Sequence, residues 1–211
     1  LTMKVKELKE GGKKAVFEGE VPEGKVFGNI KYAFYPASKF EVAAGVVTVT
    51  PMGTSYLTNL TNQIPSCANV AGGDAQFKNI CGIVEMNIRA GVLPQDDDGW
   101  EVIDYSKFNL SITAESNVFG SFTFDPKDFS LTSPTGTNKI TLHQSYSGFE
   151  GGKYIMILPE YTGKLTINAD NFYPSMSGSI NTAELDIAAG KYITMRTLTL
   201  SFSSGEYVFT K

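Results

Sequence analysis

Apolar side chains recur at every second position along most of this chain, and no window carries a 3.6-residue apolar period. A period of two sends alternate side chains to opposite faces of a pleated strand, so each segment buries one face and wets the other. Leu1, Met3 and Val5 alternate with Thr2, Lys4 and Lys6, the Gly11-Gly12 pair supplies the positive φ angles of a tight turn, and Ala15 and Phe17 begin the return strand. Ile30, Tyr32 and Phe34 share one face of the next segment, with Ala33 and Tyr35 on the other. Pro36 lacks a backbone donor and should end pairing there or confine that strand to an edge. Val46 to Thr50 is a β-branched run closed by Pro51. Ile80, Gly82, Val84, Met86 and Ile88 then line one face against Glu85, Asn87 and Arg89, and Phe108, Leu110, Ile112 and Ala114 repeat the pattern before Phe122 and Phe124. In the second half, the continuous apolar run KYIMILP predicts a strand buried on both faces. Leu165 and Ile167 alternate with Lys164 and Thr166, Leu185, Ile187 and Ala189 face one way, and Ile193 to Phe202 and Tyr207 to Phe209 close the chain.

A succession of short strands with turn residues between them predicts an all-β protein, an antiparallel β-sandwich. The 211 residues suffice for one large domain or two modest ones, each with its own core. Met52 to Ala75, rich in Thr, Asn, Gly and Ser, reads as a long irregular connection. The loop Pro126–Pro134 is the expected boundary between an N-terminal sandwich (1–128) and a C-terminal one (129–211), with a single continuous sandwich as the alternative. No apolar run reaches the ~18 residues of a membrane-spanning helix. The chain begins at Leu1 inside an expected strand, as a mature or trimmed chain does, so the missing leader does not argue for the cytoplasm.

Groups that carry chemistry are sparse. With 18 basic and 22 acidic residues the net charge is −4, and without a basic cluster the chain is a poor match for a nucleic-acid backbone. His143 is the single histidine; a triad or zinc site needs partners it lacks, so a hydrogen-bonded or exposed imidazole is the favoured reading. There is no phosphate loop, no Gly-x-Ser-x-Gly elbow and no His-Glu-x-x-His element, so neither an enzyme nor a cofactor is expected. Asp96, Asp97 and Asp98 beside Gly99 offer oxygen ligands for Ca²⁺, but without the alternating spacing of a calcium loop. A solvated turn between the strands at Ile88 and Val102 is the better reading. Cys67 and Cys81, separated by 14 positions, are the only cysteines. Bridged, they would close a loop worth ~3 kcal/mol, and two buried free thiols are the equal alternative. Alternation places Cys81 on the face of Glu85 and Arg89. Asn59-Leu60-Thr61 and Asn109-Leu110-Ser111 match the glycosylation pattern, which is too short to carry weight. Tyr32, Phe34, Tyr35, Tyr105, Tyr146, Tyr154, Tyr161 and Tyr173 are read first as core or cross-strand pairs, and second as a sugar-stacking platform.

The order of the segments resembles a known family. AVFEGEVPEGKVFGNIKYAFYPAS, FKNICGIVEMNI, KFNLSITAESNVFGSFTFD, GKYIMILPEYTGKLTINADN and LDIAAGKYITMRTLTL succeed one another like the landmarks of the fimbrillin-like adhesins of Bacteroidales cell surfaces. The resemblance implies tandem transthyretin-like, Greek-key sandwiches, the first lacking its opening strand because nothing precedes Leu1. It implies an exported protein of the outer membrane or fimbrium, lipid-anchored through a segment absent from this chain, serving as pilus subunit or adhesin. Its partners would be other fimbrial subunits, or host or bacterial surface proteins or glycans, with assembly by strand addition. The alternative is a carbohydrate-binding surface lipoprotein whose Trp100 and Tyr105 face ligand beside the Asp96–Asp98 turn. A sandwich glycosidase comes last, since it needs two carboxylates ~5–9.5 Å apart.

Overall fold

In the computed structural model, which describes residues 2–12, 14–52, 57, 59–60, 62–70, 74–90, 108–132, 134–144, 151–172, 175–203 and 206–210, the alternation resolves into short strands. The first half contains β1 (Lys4–Lys9), β2 (Lys14–Glu18), β3 (Tyr32–Tyr35), β4 (Phe40–Ala43), β5 (Val46–Met52), β6 (Ser66–Asn69), β7 (Lys78–Asn79), β8 (Gly82–Ala90), β9 (Phe108–Ala114) and β10 (Gly120–Asp125). The second contains β11 (Ser130–Thr132), β12 (Lys139–Gln144), β13 (Gly151–Leu158), β14 (Tyr161–Gly163), β15 (Leu165–Phe172), β16 (Ser175–Asn181), β17 (Leu185–Ile187), β18 (Tyr192–Thr194), β19 (Leu198–Ser203) and β20 (Glu206–Thr210). Among the described residues the helical segments are three-residue 3₁₀ turns. The all-β expectation holds.

The strands form two four-stranded antiparallel layers, β12-β9-β15-β16 and β11-β10-β5-β4, a five-stranded sheet β13-β8-β19-β20 with β18 also paired to β8, a three-stranded sheet β3-β6-β7, and the pairs β1-β2 and β14-β17. Burial follows the pleat. On β8, Val84, Met86 and Ile88 are fully enclosed while Arg89 points to water, and on β9, β12 and β15 the enclosed residues are Leu110, Ile112, Ala114, Ile140, Leu142, Leu165, Ile167 and Ala169. β13 is buried on both faces from Tyr154 to Leu158, as its unbroken apolar run predicts. Its outer edge is covered too: Leu57 bridges Ile155, and the Ile157 N–H donates to Met52 Sδ at 3.4 Å. The small sheet rests on the β11-β10-β5-β4 layer through rings. Phe34 of β3 stacks on Phe40 (4.9 Å between centroids) and meets Phe124 edge-on (6.3 Å), and Phe129 closes on Phe124 at 5.9 Å.

Several sequence expectations are corrected. One core cluster runs from Val47 and Phe124 to Ile167 and Leu200, and β8 and β9, from before residue 128, pair with β13, β12 and β15, from after it. The strands therefore do not segregate into 1–128 and 129–211. The pairing is also not purely antiparallel. β18 and β19 both run parallel to β8, with the register moving by one residue between them, so the expected final long strand is one strand interrupted at Met195–Thr197. Pro51 does not close β5. It lies opposite the β10 irregularity between Gly120 and Phe122, where a missing N–H costs no ladder bond, and its carbonyl accepts from Lys39 Nζ at 3.1 Å. The stretch 52–75 holds β6, which pairs with β3 and β7.

One contact is closed by glycines. Residues 119–121 and 135–137 exchange backbone bonds, Thr137 N–H to the Phe119 carbonyl at 3.0 Å and the reverse at 3.1 Å. A Cβ on Gly136 would lie 1.4 Å from the Phe119 carbonyl oxygen, and Gly120 holds φ +100° with no room for a side chain beside Gly136. Only glycine fits there.

Candidate functional site

Of the residues marked from sequence, Asp96, Asp97, Asp98, Trp100, Tyr105, Tyr146 and Tyr173 lie outside the described residues. Among the described residues no group of three or more His, Cys, Asp or Glu is placed to hold a metal ion, and no helix is long and apolar enough to cross a membrane. The His143 backbone sits in β12 opposite Leu110, beside a register shift. Asn109, Leu110 and Ser111 occupy a central strand, with Leu110 and Ser111 buried.

Cys67 and Cys81 are both free thiols, both fully buried. In the β6–β7 ladder Cys67 lies opposite Lys78, three residues short of Cys81. The ladder ends at Asn79, before the chain bends at Ile80–Cys81, so the two thiols do not face each other across it. Cys81 does not take the wet face that alternation gave it. The chain bends at Ile80–Cys81 before β8 begins, and the turn after β17 closes over that end, with Gly190 N–H donating to the Cys81 carbonyl at 2.9 Å. Burial pushes the Cys67 thiol up to about 11 and Cys81 higher still. Burial also lowers the Lys39 ammonium, opposed by its attraction to Cys81.

The aromatic expectations divide. Tyr154 and Tyr161 are buried, and Phe34 packs inside. Tyr161 joins the end of β9 to the start of β15: its hydroxyl donates to the Lys164 carbonyl at 2.7 Å and accepts from Glu115 N–H at 3.3 Å, and burial raises its proton affinity. Tyr35 reaches the surface, donates to Asn62 Oδ1 and meets Phe77 edge-on at 6.3 Å. Phe77 in turn contacts Phe17 at 6.4 Å. These rings are tilted by 72° and 50°, so they form a ridge and not the flat platform a sugar ring would stack on.

The ridge joins the N-terminal ribbon. Val5 opposes Phe17 and Leu8 opposes Ala15, which puts four apolar residues on one face of the β1-β2 hairpin. Leu8 is 64% and Val5 51% exposed. The opposite face is laced by Lys6–Glu18 (3.1 Å), Lys9–Glu7 (3.5 Å) and Lys14–Glu10 (2.6 Å). Alternation found this hairpin but not that its apolar face stays open.

A second surface feature escaped the sequence reading because the alternation of β16 is faint, Met176 and Ile180 standing either side of Gly178 among serines. Between β15 and β16, on the face of the layer turned from the core, lies a hollow of about 300 Å³ lined by Asn168, Asp170, Ser177, Gly178 and Ser179. A third cluster joins three strands. Glu85 of β8 accepts from Lys153 Nζ of β13 (2.6 Å) and from the Tyr192 hydroxyl of β18. The Lys153 bond, then the Tyr192 bond, hold the Glu85 carboxyl below its usual range; Glu85 in turn raises Lys153 and Tyr192. This is a tie between strands.

No protein-family model matches the chain, and no curated protein matches it. Among solved structures the fold is similar to a protein provisionally named as a cell adhesion protein from Bacteroides ovatus, with a TM-score of 0.51 at 12% identity over 92% of this chain and 72% of that one. Proteins named in the same way from Bacteroides uniformis and Bacteroides fragilis align with TM-scores of 0.48 and 0.40, at 16% and 13% identity. The first covers 85% of this chain and 69% of that one, and the second 80% and 64%. At these identities the likeness is one of fold.

Proposed function

We propose that the chain is a non-enzymatic cell-surface adhesion protein, of the pilus-subunit or adhesin kind, that works by presenting surfaces to partners. The observation that carries this reading is the fold shared with the Bacteroides ovatus protein across nine-tenths of the chain. The disposition of the ionisable groups supports it: Glu85, Lys153 and Tyr192 tie strands together, Tyr161 joins the end of β9 to the start of β15, and the two thiols are sealed in the core. The open apolar face of the ribbon and the edge strand β4, with Val42 exposed, are the features through which neighbours would dock or add a strand.

Beads coated with the purified chain, presented to Bacteroides cells and to mucin-producing epithelial cells, should adhere well above albumin-coated beads. Equal retention of both bead types on both surfaces would refute the adhesion reading. For strand addition, native mass spectrometry of the chain mixed with peptides spanning its own β1 and β20 should show a one-to-one complex. An unbound spectrum at peptide excess would remove that route.

A further inference from the structure

We infer that the outer face of the β12-β9-β15-β16 layer is a binding site for a neutral, hydroxyl-rich glycan, with the hollow between β15 and β16 as its principal contact. The register of three strands builds a grid of polar side chains. Thr113, Thr166 and Asn181 form one cross-strand row, Ser111, Asn168 and Ser179 the next, and Asn109, Asp170 and Ser177 the third. Neighbouring strands are ~4.8 Å apart and alternate residues ~7 Å apart, so the grid has the scale of a sugar ring and its hydroxyls.

The rows differ in how their groups are used. The first is knitted together and tied to the second: Thr166 Oγ1 donates to Asn181 Oδ1 at 2.7 Å, and Asn168 Nδ2 donates to Thr113 Oγ1 at 3.2 Å and to the Thr166 carbonyl at 3.4 Å. Asp170, Ser177 and Ser179, which line the hollow, are exposed and carry no side-chain hydrogen bond among the described residues. Ser111 supplies an independent sign. It lies directly across from Asn168 on the same face, is only 6% exposed, and its Oγ has no hydrogen-bond partner. A hydroxyl enclosed without a partner is costly, and such exceptions in a native fold mark a function or an unfilled contact.

Chemistry selects the ligand. Among the described residues the hollow presents hydroxyls, a carboxamide and one carboxylate, with no cation, so sulfated, sialylated or phosphorylated ligands meet repulsion. An apolar ligand meets a mainly polar wall among the described residues. A neutral glycan both donates to the Asp170 carboxylate and the Asn168 carbonyl oxygen and accepts from the Ser177 and Ser179 hydroxyls. With no aromatic ring among the described lining residues, each contact is weak, and useful strength comes from many copies on one surface. In that respect the inference rests on the adhesion reading.

The test is affinity electrophoresis of the whole chain in native gels containing galactomannan, xyloglucan or yeast mannan, with heparin as the anionic probe. Retardation by at least one neutral polysaccharide is expected. Asp170→Ala and Ser179→Lys, both at exposed positions, should weaken it at least tenfold with an unchanged melting curve, while Glu23→Ala on the far segment leaves it intact. Retardation by none of the three, by heparin alone, or equally in the hollow variants would overturn the proposal. Bead adhesion separates this failure from that of the adhesion reading. If the parent and the Asp170→Ala variant adhere alike, adhesion stands and the hollow falls. If gels show retardation and no beads adhere, the hollow stands and adhesion falls.

Discussion

Replacing Phe124 by Ala tests whether the molecule has one core or two. Phe124 is 2% exposed and meets Phe34, Phe40 and Phe129 in edge-on or steeply tilted contacts at 6.3, 6.3 and 5.9 Å. Deleting a buried phenyl group costs ~3–5 kcal/mol through lost transfer energy and the cavity left behind. Each well-oriented ring pair adds ~0.5–1.5 kcal/mol beyond area, which places this site near the upper end, about 5 kcal/mol. With a urea m-value of ~3 kcal/mol/M for a chain of this size, the midpoint should fall by ~1.5 M. Urea unfolding followed by circular dichroism gives the midpoint, and hydrogen exchange on peptides from β9 and β15 reports whether the far layer opens with it. Because those strands belong to the same buried cluster, their protection should fall in step. Two refutations are distinct. A loss under ~1 kcal/mol would deny the ring cluster its role, whereas a full loss with β15 protection unchanged would restore a boundary near residue 128.

Gly136→Ala forces a Cβ to within 1.4 Å of the Phe119 carbonyl and should cost at least ~3 kcal/mol, a fall of roughly 6–12 °C in melting temperature; an unchanged melt would sink the crossing-strand geometry. Cys67 and Cys81 should resist a thiol reagent in the native protein at pH 8 and both react in denaturant, with no difference on adding reductant. Because burial raises the Cys67 pKa to about 11, the stability it contributes is complete below the ordinary thiol range and is lost as pH climbs toward about 11, which alkaline melts of the parent and Cys67→Ala would show. Glu85 has a lowered pKa, so its contribution is present above the ordinary carboxylate range and fades in acid. Glu85→Gln should therefore speed amide exchange at Ile193 and Thr194 at neutral pH, with the difference from the parent vanishing as the carboxyl protonates.

Alternation made β8, β9, β12, β15 and the doubly buried β13 legible in the sequence, because each has one dry face or two, and dryness leaves a period in the residues. What it could not show were elements whose order comes from neighbours. β6 is Ser-Cys-Ala-Asn, four residues without a β-branched or aromatic side chain, and it is a strand because β3 and β7 flank it. β16 alternates only Met176, Gly178 and Ile180 with Ser and Asn, a period too faint to stand out, and the polar hollow it forms with β15 leaves no apolar mark at all. The expected domain boundary failed on physical grounds of its own. A Pro-, Ser- and Thr-rich loop records where the chain meets water, while the partners of β8 and β9 are chosen by pairing across sequence.

The two open surfaces differ in the kind of partner each can hold. The ribbon offers Val5, Leu8 and Phe17 to something that buries apolar area, and a two-stranded ribbon on its own is marginal in water, so cover by a neighbouring protein would stabilise it as well as bind it. The β15-β16 hollow is lined mainly by polar atoms and gains chiefly by exchanging water for ligand hydroxyls, a trade that yields little per site. They belong to separate sheets that share no ladder, so occupying one leaves the hydrogen bonds of the other untouched. Under the adhesion reading this division has a consequence: ribbon contacts would array the chains, and the array would turn weak hollow contacts into firm attachment. Truncating the apolar face of the ribbon should then abolish multivalent adhesion of soluble assemblies while leaving the single-site gel retardation unchanged.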